Sequence, residues 1–130
     1  MDPSLQTLSQ NEFAEGYLLT HADMAWFWAS YLPDERDRSN PYACLPAAKD
    51  LKGLPSAMII TAEFDPLRGE GESYARRLQD TGVKTAFTRY EGMTHGFISM
   101  MSFVDKGRRA VEDAASHVRA AFKSCAGEAV

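Results

Sequence analysis

The chain has 130 residues, 45% of them hydrophobic and 25% charged, which suits one globular domain with a modest core. A formal net charge of −4 at pH 7 and a pI near 5.3 leave no basic stripe for phosphates, so no nucleic-acid partner is expected. No apolar run approaches the roughly 20 residues that span a bilayer, so no membrane partner is expected either.

The start, Met1-Asp2-Pro3-Ser4, lacks a positive region followed by an apolar core, and no secretory signal is read there. Cys44 and Cys125 stand alone without a CxxC pair, which predicts reduced thiols in a cytoplasmic protein. Residues 1–16 are polar and weakly periodic. Thr20, three residues before Asp23, is a capping-box start for a helix. Met24, Phe27, Trp28 and Tyr31 follow at i, i+3, i+4 and i+7, an amphipathic stripe that Pro33 ends. The aromatic stripe reads either as plain packing or as the wall of an apolar pocket. Trp26 and Trp28 point to more than one face and keep both readings open. Asp34 to Asn40 is a charged turn, and Leu45 to Leu54 a link that ends at Pro55.

Ala57–Ala62 is a β-branched, apolar run stopped by Asp65-Pro66, the pattern of a buried parallel strand covered on both faces. Ligands and reactive groups gather outside the carboxyl ends of such strands, where Asp65 falls. Gly69-Glu70-Gly71-Glu72 then opens a helix with Tyr74, Ala75 and Leu78 on its apolar side and a stop at Thr81-Gly82. A second strand, Thr85 to Tyr90, runs into Glu91-Gly92-Met93-Thr94-His95-Gly96-Phe97. Strand, helix, strand makes one right-handed βαβ unit. A last helix is predicted from about Ser102 to Lys123. Its stripe of Phe103, Gly107, Ala110, Val111, Ala114, Val118, Ala121 and Phe122 is expected to pack on the sheet, with a frayed tail beyond. The fold class is therefore α/β, a single domain. A helical segment (1–33) leads into strand-helix-strand-helix with a small parallel sheet (34–123), then a tail (124–130).

An acid and a histidine thus follow successive strands, as two members of a nucleophile, base and acid constellation would. Each also has a simpler reading. Asp65 could cap a helix with Pro66 at its first position, and His95 could be a loop histidine beside a flexible Gly96. His21, His95 and His117 share no ligand spacing, so no metal site and no cofactor are expected.

Four stretches carry a family resemblance: Met24-Ala25-Trp26-Phe27-Trp28 with Tyr31-Leu32; Leu54-Pro55-Ser56-Ala57; Thr61-Ala62-Glu63-Phe64-Asp65-Pro66-Leu67-Arg68; and Tyr90 to Phe97. From roughly Gly16 to Phe122 the chain resembles the C-terminal part of bacterial esterases of the hormone-sensitive-lipase group, which are α/β-hydrolases. The resemblance implies a partial α/β-hydrolase fold in which residues 1–33 belong to a cap. It makes Asp65 the triad acid and His95 the triad base of a carboxylic ester hydrolase. Trp26, Trp28 and Phe97 become candidates for lining the pocket of an apolar ester. Gly69 departs from the family, where an acid commonly follows Leu-Arg, and weaker support of the Asp loop is expected from it.

The Gly-x-Ser-x-Gly elbow and the His-Gly-Gly-Gly-type oxyanion segment of that family occur nowhere in the sequence. In the family order they precede the region matched, so the chain is expected to be the C-terminal portion of an esterase and inactive alone. The alternative is a domain without catalysis that binds a protein partner or apolar ligand through its aromatic helix. The strand Ala57–Ala62 carries no Lys or Pro to protect an open edge, and a homo-oligomer joined through that edge is expected.

Overall fold

A computed structural model describes residues 6–127, with side chains described as far as Lys123. They fall into two compact units, one ending at His95 and one beginning at Gly96. The first unit holds α1 (Leu8–Glu12), α2 (His21–Tyr31), 3₁₀ turns at Glu35–Ser39 and Leu45–Ala47, then β1 (Ala57–Phe64), α3 (Arg68–Asp80) and β2 (Thr85–Thr94). β1 and β2 are parallel neighbours and α3 connects them. Among the described residues the sheet contains these two strands. The fold class is α/β, as the alternation of strand and helix predicts.

Local chemistry explains the boundaries. The Thr20–Asp23 capping box closes the start of α2 in both directions, each side chain bonding the other's backbone. Thr7 and Gln10 form a second capping box at α1, a helix absent from the sequence reading. Gly82, at φ +84°, supplies the left-handed residue just after α3. Leu51, Leu78 and Val83 form the buried core beneath α3, with Ile59 of β1 and Tyr74 packed against them. α3 approaches β1 closely because residue 71 is glycine. A Cβ at that position would lie 2.8 Å from Thr61 Cγ2.

The aromatic helix differs from the predicted stripe. Met24 and Trp28, four residues apart, are buried, whereas Trp26, Phe27 and Tyr31 are 65%, 52% and 67% exposed. Apolar side chains surround the helix, and only its i, i+4 pair turns inward. β2 also runs farther than predicted, through Glu91-Gly92-Met93 to Thr94.

The second unit contains a 3₁₀ turn (Phe97–Met100) and α4 (Asp105–Gly127). Small residues make their contact. Gly107 and Ala110 are buried, and a Cβ on Gly107 would come within 2.7 Å of the Phe97 carbonyl oxygen. Phe103, Val111, Val118 and Phe122 of the predicted stripe are exposed instead. α4 reaches Gly127, and the remainder of the predicted tail lies outside the described residues. No helix among the described residues is long and apolar enough to cross a membrane.

Candidate active site

Asp65 leaves β1 at its carboxyl end and is only 8% exposed. A carboxylate that deep needs hydrogen-bond partners. Its Oδ1 accepts from the Leu67 amide at 2.8 Å, and its Oδ2 lies 3.0 Å from His95 Nδ1. The helix-cap reading of Asp65 does not hold, because α3 starts at Arg68 with Leu67 in the cap position. The aspartate instead ties a tight turn ahead of the helix, and the Arg68 amide donates to its main-chain oxygen at 3.0 Å.

His95 reaches this position through an irregularity in β2. Ala62 pairs with Tyr90 but Phe64 pairs with Thr94, so β2 spends two more residues than β1 over the same stretch. Such a bulge bends the strand and re-aims the side chains beyond it. Gly92 takes φ +75° there, a conformation that side-chain-bearing residues rarely adopt. The Gly92 amide donates to Glu63 Oε2 at 2.6 Å, so the opposing strand holds the bulge in place. Glu63 and Gly92 are parts of the site that the spacing of acid and histidine does not reveal.

The hydrogen bond to Asp65 raises the His95 pKa above the ordinary imidazole value; partial burial opposes the shift and the carboxylate charge adds to it. With Nδ1–H donating to Asp65, Nε2 is the nitrogen left to take up or release a proton. The imidazole is 41% exposed, accessible to a reacting group.

His95 and Leu67 border two clefts. One, of about 600 Å³, is walled by Met24, Trp26, Phe27 and Trp28. The other, of about 650 Å³, runs along β1 and α3 past Ile60, Thr61, Asp65 and Ser73. Of the residues predicted to line a pocket, Trp26 and Trp28 stand on the first cleft with His95. Phe97 is buried in the second unit, where it opens the 3₁₀ turn.

The base of the Asp65 turn is held from below. Arg68 donates to the Glu63 carbonyl at 2.7 Å, pairs with Glu12 at 3.4 Å and lies over the Phe13 ring at 4.9 Å. Phe13 in turn meets Phe64 edge to face at 5.8 Å.

Residues 2–99 match the family model described as alpha/beta hydrolase fold. A carboxylic ester hydrolase of Mycobacterium tuberculosis is 41% identical over 100 residues, which are 76% of this chain and 27% of that protein. An arylesterase of Saccharolobus solfataricus is 40% identical over 95 residues, 72% of this chain and 31% of that protein. Among solved structures, a thermophilic carboxylesterase cloned from a metagenomic library superposes with a TM-score of 0.84 at 42% identity. That match covers 88% of this chain and 40% of the other. A Rhizomucor miehei esterase gives a TM-score of 0.86 at 38% identity, covering 92% and 38%. The chain spans about a quarter to a third of the length of the curated relatives it matches. By family model, sequence identity and backbone superposition alike, the chain belongs to the α/β-hydrolase fold family.

Proposed function

We propose that these residues supply the acid and base of a carboxylic ester hydrolase, working on a serine that lies outside the 130 residues. The carrying observation is the Asp65–His95 hydrogen bond beside an aromatic cleft, in a chain whose relatives are ester hydrolases. His95 Nε2 takes the serine proton as the hydroxyl oxygen attacks the ester carbonyl. Asp65 holds the ring in the tautomer that allows this and stabilises the imidazolium that forms. The imidazolium then gives its proton to the departing alcohol, and water releases the acyl group by the same exchange. The cleft walled by Trp26 and Trp28 suits an apolar ester.

No Gly-x-Ser-x-Gly segment is present, and loss of the nucleophile leaves little of the rate in such enzymes. The chain alone should therefore hydrolyse short-chain p-nitrophenyl esters no faster than its His95→Ala variant. A faster rate, abolished by a serine-directed phosphonate, would refute this. The positive test joins the chain to the part of the metagenomic carboxylesterase that the match does not cover. Hydrolysis that His95→Ala abolishes is expected, and a folded but inactive chimera counts against the assignment.

A second reading, an apolar-ligand or protein-binding face without catalysis, is favoured by the exposure of Trp26 and Tyr31. In that case binding would survive His95→Ala and fail in Trp26→Ala. For assembly, we propose pairing of two copies through β1, which among the described residues has one paired edge and carries neither Lys nor Pro in Ala57–Ala62.

A further inference from the structure

The turn that carries Asp65 is gripped by a residue far away in sequence. Ser9, in α1, is 2% exposed. Its Oγ donates to the Pro66 carbonyl at 2.7 Å and accepts from the Gly69 amide at 3.0 Å. Thr7 Oγ1 stands 3.2 Å away and fills its remaining acceptor position. A serine hydroxyl has one donor and two acceptor sites, so this one is fully used. Its only proton is given to Pro66, which sets Ser9 apart from a nucleophile.

The two backbone groups that Ser9 holds bracket Leu67, whose own amide donates to Asp65 Oδ1. One side-chain oxygen thus fixes both ends of the segment that aims a donor at the aspartate. α1 is itself fastened to the start of α3, because the fully buried Gln10 donates from Nε2 to Glu70 Oε1 at 2.5 Å and accepts from the Thr7 amide at 2.7 Å. Gly69 makes the approach possible. A Cβ there would lie 2.9 Å from Ser9 Oγ, with the next atoms at 3.7 Å. The residue expected to weaken the Asp loop is thus one of the two that Ser9 grips.

We infer that Ser9 is a positioning residue for the acid–base pair: by clamping Pro66 and Gly69 it sets the orientation of Asp65 toward His95. This rests on the proposed reading of the pair as acid and base, but the geometry it concerns can be measured without any hydrolysis. Ser9→Ala leaves the Pro66 carbonyl and the Gly69 amide without this partner and lets the turn relax. Asp65 would then hold the imidazole less well. A purely structural serine would lower stability and leave the pair unchanged.

The test is proton and nitrogen NMR of the full chain with labelled histidine, His95 being assigned through His95→Gln. Its readouts are the low-field Nδ1–H resonance of His95 and its titration midpoint. Asp65 is the carboxylate bonded to the ring, while Glu63 is engaged with the Gly92 amide, so the midpoint follows Asp65. Ser9→Ala should weaken or abolish the resonance and move the midpoint down toward that of an ordinary imidazole. Val83→Ala, a truncation in the core around Leu51 and Leu78, should lower the melting temperature and move neither readout. A folded Ser9→Ala chain that keeps the parent resonance and midpoint overturns the inference, as does an equal change in Val83→Ala. If Ser9→Ala does not fold, Gly69→Ala is read in the same way, since its new methyl strikes Ser9 Oγ. An unchanged midpoint in that variant overturns the inference too. An inactive chimera would count against the hydrolase reading and leave these signals as they are.

Discussion

Replacing Gly71 by alanine sets two effects of opposite sign against each other. In an unobstructed helix interior the change stabilises by about 1 kcal/mol, because glycine has more backbone entropy to lose. In α3 the new methyl would lie 2.8 Å from Thr61 Cγ2, where carbons in contact prefer roughly 3.5–4.0 Å. Thr61 is 7% exposed and β-branched, so its side chain has little room to turn aside. Overpacking of this kind costs about 1–3 kcal/mol. The balance is a net loss of roughly 1 kcal/mol, or about 4 °C in melting temperature for a domain of this size. Thermal denaturation followed by circular dichroism measures it. Thr61→Ala removes the obstructing Cγ2, along with an Oγ1 that is buried without a hydrogen-bond partner among the described residues. In that background Gly71→Ala should become stabilising, which a double-mutant cycle detects as coupling. A higher melting temperature for Gly71→Ala alone would refute the claim that glycine is needed for close contact of α3 with β1.

Three further outcomes follow from the same geometry. The hydrogen bond to Asp65 raises the His95 pKa, so the pair's stabilisation is complete below about pH 6.5, the unfolded imidazole value, and is lost as pH rises through the higher folded value. Melting temperature should decline over that window in the parent and not in Asp65→Asn; an identical decline in both would show that another group is responsible. Gly92→Ala must hold a side chain at φ +75°, which costs roughly 1–2 kcal/mol, and should displace His95 from Asp65, visible as a lower His95 midpoint. Sedimentation at low micromolar concentration should show a dimer if β1 edges pair, and a stable monomer there removes that proposal.

The strands and the central helix were legible because their patterns are local. A β-branched run halted by Asp65-Pro66 and a helix closed by Thr81-Gly82 are set by nearest neighbours in the chain. The acid and the histidine were legible as candidates for the same reason. Their closeness follows from two successive parallel strands that end at one edge, but the strand bulge and the turn gripped from α1 that accompany the 3.0 Å contact do not show in the sequence. The Thr7–Gln10 capping box was present in the sequence as Thr-x-x-Gln, but α1 has five residues and too little periodicity to stand out. The aromatic helix left two readings open because Phe27 and Tyr31 complete a helical stripe whether they face a core or a cleft. In the structure Trp26, Phe27 and Tyr31 line the cleft and Met24 and Trp28 are buried. Gly69 stands where the resembled family commonly has an acid, and nothing in the sequence tells that a Cβ there would lie 2.9 Å from Ser9 Oγ.

The two-residue excess in β2 governs which insertions and deletions this segment can absorb. Side chains alternate along a strand, so an even number of extra residues keeps everything beyond the bulge on its original face. Removing one residue from Glu91-Gly92-Met93 would turn the following positions over and carry His95 away from the aspartate. Removing two would preserve parity but take away the bulge through which His95 reaches the aspartate. Single-residue changes in this stretch should therefore be the least tolerated, whereas residues gained or lost in the exposed Lys52-Gly53-Leu54 segment face no such counting rule. In aligning distant sequences, the number of residues between Tyr90 and His95 is thus a stricter marker of the pair than the overall distance from acid to base.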